Sequence, residues 1–286
     1  MVKVLEIGFY SSIQDFGRFG YQQYGVPVSG VMDRKAAAFA NSLLGNNEDE
    51  AVLELTMLGP TLQFNVNTCI ALSGANMSAK LNNTEIYNNS LIAVNSGDVL
   101  SFGKLKSGFR SYLAVWGGFN AETVMKSKSM YPNITKSSRL FKNDELTISA
   151  SSFASQNKYS KIRYDESYLN SPILKVYKGP EFENLSNIEK NKLISTRFTI
   201  SNNHSRMGYQ LQESFYNNLA EIITGPVIPG TVQLTPSGKL IILMRDSQTT
   251  GGYPRVLQLS EASINNLAQK YTGKSILFKL MLQDII

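Results

Sequence analysis

The chain has 286 residues, enough for one large domain or two modest ones that each bury a core. Its 28 Lys and Arg against 22 Asp and Glu give a formal charge of +6, but these cations are scattered. The densest spots, Lys104-Leu105-Lys106 and Lys126-Ser127-Lys128, lack the interleaved aromatics of a stacking platform, so nucleic acid is not expected as a partner.

In chain order, Met1–Ile7 carries Glu6 inside its apolar stretch and lacks the long apolar core of a signal peptide. Ala36, Phe39, Ala40, Leu43 and Leu44 recur at helical spacing, with Gly45 where a left-handed cap is needed and Asp33 in the first turn. Asp33 is read equally well as a dipole-favoured acid or as a ligand. Strands are predicted at Val52–Met57, Leu62–Val66, Cys69–Ser73, Leu91–Asn95, Val99–Phe102 and Ser111–Trp116, with Ser96-Gly97-Asp98 as a turn. Residues 1–150 are thus expected to form a mostly-β unit. The Ser-, Asn- and Lys-rich stretch 151–170 reads as a connector, and 171–286 as a second mostly-β unit.

In that second part, strands are predicted at Ile173–Tyr177, Arg197–Ser201, Thr231–Leu234, Leu240–Met244 and Ser275–Leu280. Ser186-Asn187-Ile188-Glu189 has capping-box spacing, and Ser260 is expected to cap a short helix whose apolar face is Ile264, Leu267, Ala268 and Tyr271. Close-set strands with few helices fit barrels better than a doubly wound sheet.

Two loops carry the candidate chemistry. The first runs from Arg245 to Arg255 behind the apolar Leu240–Met244 strand. Gly251 and Gly252 allow positive φ and close backbone approach, while Pro254 stiffens the exit. Arg245 and Arg255 have the fork geometry that grips a carboxylate or phosphate, and Asp246 is a candidate base, so these three are the catalytic candidates. Gln233, Gln248, Thr249 and Thr250, with Gly251, Gly252 and Tyr253, offer neutral recognition of an amide-like substrate. The second cluster is Gln14, Asp15, Arg18 and Tyr21. Each loop has a bland alternative: a Gly-Gly turn in one, an Asp15–Arg18 surface pair in the other.

Nitrogen and sulfur ligands are scarce. His204 is the one histidine and Cys69 the one cysteine, so a zinc site is not expected and no metal-ligand set is assigned. His204 has the chemistry of a base, although an isolated loop histidine is more often a surface group. A lone thiol and the absence of an apolar run of roughly 20 residues favour a cytoplasmic protein with no membrane partner. Gly273-Lys274-Ser275 is no phosphate-binding loop, because Ala268 stands where the upstream glycine belongs.

Ser12–Gln22, Gly25–Asp33, Leu53–Pro60, Ser73-Gly74-Ala75-Asn76, Arg110–Gly118, Arg206-Met207-Gly208-Tyr209, Gly225–Gln233 and the Arg245–Arg255 loop together resemble one family. It contains the C subunit of bacterial 5-oxoprolinase, the second subunit of the allophanate-hydrolase type, the carboxyltransferase domain of urea carboxylase and an antagonist of a sporulation-kinase inhibitor. The resemblance implies cyclophilin-like β-barrels and one component of an ATP-dependent 5-oxoprolinase, working with the A and B subunits of that enzyme. It also implies ATP, accompanied by magnesium, at a site shared with a partner. Asn76 stands where relatives carry aspartate, which weakens any base role there. Two alternatives follow from the same resemblance: carboxyl transfer from carboxybiotin to a urea-like acceptor, with biotin as cofactor, and a non-catalytic regulator that binds a kinase-inhibitor homologue.

Overall fold

In a computed structural model of the chain, residues 1–150 and 164–281 are described. Most of the predicted connector, 151–163, lies outside them. The chain divides into two compact units: Met1–Arg18 with Asp33–Asn170, and Phe19–Met32 with Ser171–Ile286. The segment Phe19–Met32, expected in the first unit, thus belongs to the second. Its contacts explain why: the Ser29 amide donates to the Arg245 carbonyl, and Met32 joins the second unit's apolar core.

The first unit is built from two antiparallel sheets of six and five strands. The five-stranded sheet places Tyr10–Gln14 at one edge, beside Val52–Thr56, with Ser107–Val115 and Thr68–Asn76 following in order. Those last two strands are nine residues long and almost wholly buried, because helix α1 (Arg34–Leu44) packs on them. Asp33 is the N-cap of α1, its carboxylate accepting from the Ala36 amide, and Gly45 closes the helix in the left-handed conformation at φ 74°. The same carboxylate accepts from the Tyr168 hydroxyl at 2.6 Å, so the helix-end reading of Asp33 is the one realised. Burial, with Asp33 beside it, drives the Tyr168 hydroxyl far above its ordinary pKa and keeps it a donor.

The second unit is a closed seven-stranded barrel. Its strands, in order around the wall, are Ile173–Lys178, Arg255–Leu259, Thr231–Leu234, Lys239–Leu243, Gly208–Ser214, Arg197–His204 and Ser275–Leu280. Period-two alternation sends Val232, Leu234, Leu240, Ile242, Tyr209 and Leu211 into the barrel core. The intervening residues Gln233, Ile241, Leu243 and Gln210 are left for the outer wall. Helix α2 (Asn187–Ser195) starts with the predicted Ser186–Glu189 capping box, and α3 (Glu261–Ala268) starts at Ser260. The chain is therefore mostly β, as expected, with hydrogen-bonded barrel closure in the second unit.

Candidate functional site

The outer-wall residues of neighbouring barrel strands line a cleft of about 500 Å³. Ile241, Leu243 and Met207 supply its apolar surface, while Gln210, Gln233, Gln248, Asn203, His204 and Tyr253 supply its polar groups. No Asp, Glu, Lys or Arg is among the described residues that line it. Gln233 is 2% exposed, and its Nε2 has no hydrogen-bond partner among the described residues. An amide donor buried without a partner costs on the order of 1–3 kcal/mol, so a ligand carbonyl that accepts from it would recover that cost.

The backbone holds Gln233 tightly. Its strand is paired on both sides, to Ile241 and to Arg255, with a register shift between Val232 and Gln233. Gly251 presses on it: a Cβ at Gly251 would lie 2.5 Å from Gln233 Nε2. Thr250–Gly251 forms a two-residue ribbon with Gly225–Pro226, the Thr249 carbonyl accepts from the Val227 amide, and the Gly252 carbonyl accepts from the Ile222 amide. Neither Gly251 nor Gly252 has positive φ. The expected use of that freedom is corrected: what Gly251 provides is space, and Gly252 lies in ordinary backbone.

The charged residues of the same loop are engaged elsewhere. Asp246 is gripped by Arg206 through Nε at 2.8 Å and Nη2 at 3.0 Å, and its Oδ1 accepts from Ser29 Oγ at 2.7 Å. Arg206 also donates to the Gly30 carbonyl, so this buried network ties the inserted Phe19–Met32 segment to the barrel. Arg245 forks onto Glu261, the first residue of α3. Arg255 pairs with Glu181 and also donates to the Pro226 carbonyl. The hydrogen bonds from Arg255 hold the Glu181 carboxyl below the usual carboxylate range, and Glu181 in turn raises Arg255. Of the residues predicted in this loop and the adjoining strand, Gln233, Gln248 and Tyr253 meet in the cleft. Arg245, Asp246 and Arg255 hold the unit together, each by an ion pair.

Most of the first cluster is likewise engaged in hydrogen bonds within its own unit. Asp15 accepts from the Gly17 amide, the Ser127 and Ser129 hydroxyls and the Lys128 amide, closing a loop in the first unit. Gln14 donates to Ser12 and to the Met130 carbonyl. Arg18, fully buried rather than part of a surface pair, donates to the Ser129 carbonyl. Tyr21 belongs to the other unit, where its carbonyl accepts from the Tyr24 amide. Asn76 accepts from the Ser78 amide and sits at an exposed strand end.

Asn203 and Gln210 carry no local signal that marks them as site residues, Met207 is flagged only as part of the Arg206–Tyr209 motif, and His204 is read as a base or, more often, a surface group. The cleft is the result of strand adjacency: Arg197–His204, Gly208–Ser214 and Lys239–Leu243 come together as neighbours in the barrel wall. His204 Nε2 lies 3.1 Å from Thr272 Oγ1, and its ring packs on Tyr209.

A closed barrel and a two-sheet unit in one chain make the fold of a carboxyltransferase domain. The chain belongs to the family described as carboxyltransferase domain, subdomain A and B, whose model matches residues 24–280. It is 32% identical over 284 residues to the 5-oxoprolinase C subunit of Escherichia coli (strain K12), covering 97% of this chain and 90% of that protein. Over 130 residues, 45% of this chain and 7% of the relative, it is 41% identical to urea amidolyase of Lachancea kluyveri. The crystal structure of the K. lactis urea amidolyase superimposes with a TM-score of 0.86 at 27% identity, over 97% of this chain and 18% of that one. The chain therefore spans nearly the full length of the Escherichia coli protein and a small part of the yeast enzymes. Among the described residues, no helix is long and apolar enough to cross a membrane.

Proposed function

We propose that this chain is the C subunit of an ATP-dependent 5-oxoprolinase, and that its barrel cleft receives the lactam of 5-oxoproline. The observation that carries the reading is Gln233, a buried amide with an unpartnered donor in a cleft of neutral hydrogen-bonding groups. The similarity to the 5-oxoprolinase C subunit of Escherichia coli, which extends over nearly the whole of both chains, supports the choice of substrate. A lactam carbonyl is a poor electrophile, and ATP supplies the means of turning its oxygen into a leaving group before water attacks. The chain's own contribution is binding and orientation. Gln233 Nε2–H would donate to the lactam oxygen, and Gln248, Gln210 and Asn203 would contact the ring amide, holding the carbonyl in one pose.

The cleft does not suit the nucleotide itself. A triphosphate carries several negative charges, the described lining has no cation, and Arg206, Arg245 and Arg255 are each paired to a carboxylate. We place ATP and its magnesium with the partner proteins, so this chain alone is expected to be inactive. The test is reconstitution with homologues of the A and B subunits: 5-oxoproline-dependent ADP release should need all three chains, and robust turnover by this chain alone overturns the reading.

Carboxyl transfer from carboxybiotin to a urea-like acceptor is the second reading, favoured by the family description and by the fit of a neutral ureido ring to amide side chains. Transfer of labelled carboxyl from free carboxybiotin to urea, in the absence of 5-oxoprolinase activity, decides for it.

A further inference from the structure

The first unit carries a concentrated exposed apolar face. Phe9 is 66% exposed, Ile7 59%, Phe141 48% and Leu58 44%. They are neighbours: the Phe9 amide donates to the Leu58 carbonyl, and Ile7, Phe9 and Phe141 line one notch. Leu58 follows Met57, a non-glycine residue held at φ 64°, so the turn presents two large apolar side chains to solvent despite a backbone conformation that costs energy. The notch itself measures about 40 Å³. That admits the tip of an aliphatic side chain and is far below the few hundred Å³ of a small-molecule pocket.

Two polar features give the notch a chemistry. Ser11 lines it and is 5% exposed, and its Oγ has no hydrogen-bond partner among the described residues. Arg139 is the one charged residue among the described lining, and its guanidinium stands 5.3 Å from the centre of the Phe141 ring. An aromatic face holds a guanidinium in place while leaving its edge donors available to a carboxylate.

We propose that this face is a docking surface for the B subunit of the same enzyme, which inserts an aliphatic side chain into the notch, pairs an adjacent Asp or Glu with Arg139, and offers a backbone group to Ser11 Oγ. The proposal rests on the reading of the chain as one component of a multi-subunit enzyme. It goes beyond that reading by assigning the contact to Ile7–Ser11, Leu58 and Arg139–Phe141. Apolar anchors at the centre of an interface with a charged partner at its edge carry most of a binding energy, so single changes there are expected to be costly.

The test measures the dissociation constant of the full chain for a homologue of the B subunit by calorimetry, in wild type, Phe9→Asp, Arg139→Glu and Tyr87→Asp, the last at another exposed site of the first unit. Wild type and Tyr87→Asp should bind alike. Phe9→Asp should bind at least ~10-fold more weakly, and Arg139→Glu should weaken binding and reduce its salt dependence. Arg139 is exposed, so its variant is expected to fold even if Phe9→Asp does not. If the folded variants at Phe9 and Arg139 bind like wild type, the docking surface is overturned while the multi-subunit reading stands. If wild type itself does not bind the B homologue, the docking surface is overturned, and reconstitution with all three chains decides the multi-subunit reading separately. If Phe9→Asp instead dissolves a homodimer of wild type, the occupant is a second copy and the proposal is overturned.

Discussion

The two polar loops of this protein are both candidates by sequence, the Arg245–Arg255 loop for catalysis and the Gln14–Tyr21 cluster for binding, and they take different roles in the fold. In the first unit, Gln14, Asp15 and Arg18 each hydrogen-bond to the segment Ser127–Met130, and Gln14 and Asp15 also bond to Ser12 and Gly17. In the second unit, the charges of the Arg245–Arg255 loop are consumed by Arg206, Glu261 and Glu181, but the neutral amides of Gln233 and Gln248 remain on the wall of a cleft. The difference has a physical cause. A buried charge needs a close counter-charge or several hydrogen bonds, so a fold that buries it captures it. An amide is cheap enough to leave open for a ligand.

The largest expected effect is on the most captured charge. Asp246→Ala removes the two hydrogen bonds that the buried Arg206 makes to this carboxylate and should destabilise the chain by about 3–5 kcal/mol, read as a lower midpoint in urea unfolding. A loss under about 1 kcal/mol would mean that the carboxylate contributes little to the fold. Asp15→Ala removes four accepted hydrogen bonds from the first unit and should cost about 2–3 kcal/mol, measured the same way. If Asp15→Ala proved the more damaging of the two, the ranking of the loops would reverse.

A smaller, pH-dependent effect belongs to Glu181. Its carboxyl titrates below its ordinary value in the folded chain, so it binds its proton more weakly there than in the unfolded chain. The stability it contributes is fully present above the ordinary carboxylate pKa and is lost as pH falls through the lowered folded value. Melting temperatures between about pH 7 and pH 3 should therefore fall less steeply in Glu181→Gln than in wild type. Parallel curves would show that the Arg255 pair contributes nothing.

The smallest stability change is expected at the functional candidate itself. Gln233→Leu deletes a donor that has no partner among the described residues, so the melt should move by about 1 kcal/mol at most, in either direction. In the reconstituted enzyme, the same variant should lose on the order of tenfold or more in kcat/KM for 5-oxoproline. Wild-type kinetics with a native melt would remove Gln233 from the site and leave the second loop no different from the first.

Much of the local structure is legible in the residues alone. The capping box at Ser186, the cap at Ser260 and the Gly45 stop are short-range signals, in which the partners lie within a few residues of one another. The strands Thr231–Leu234 and Ser275–Leu280 are set by apolar runs between turn residues. Val2–Glu6, Tyr10–Gln14, Gly208–Ser214 and Arg255–Leu259 are strands beyond those predicted from the residues, although Val2–Glu6 and Gly208–Ser214 alternate buried and more exposed residues as paired strands do.

The sequence by itself determined the mostly-β class, the helix ends and the candidate loops, because those depend on neighbours a few residues apart. Only the tertiary structure decided which groups in those loops stay available. Arg206 reaches Asp246 across 40 residues, Ser29 reaches it across 217, and Gly251 presses on Gln233 through strand pairing that no local spacing encodes. Whether a polar side chain is an anchor or an open binding group depends on what the closed barrel brings against it, and that partner comes from elsewhere in the chain.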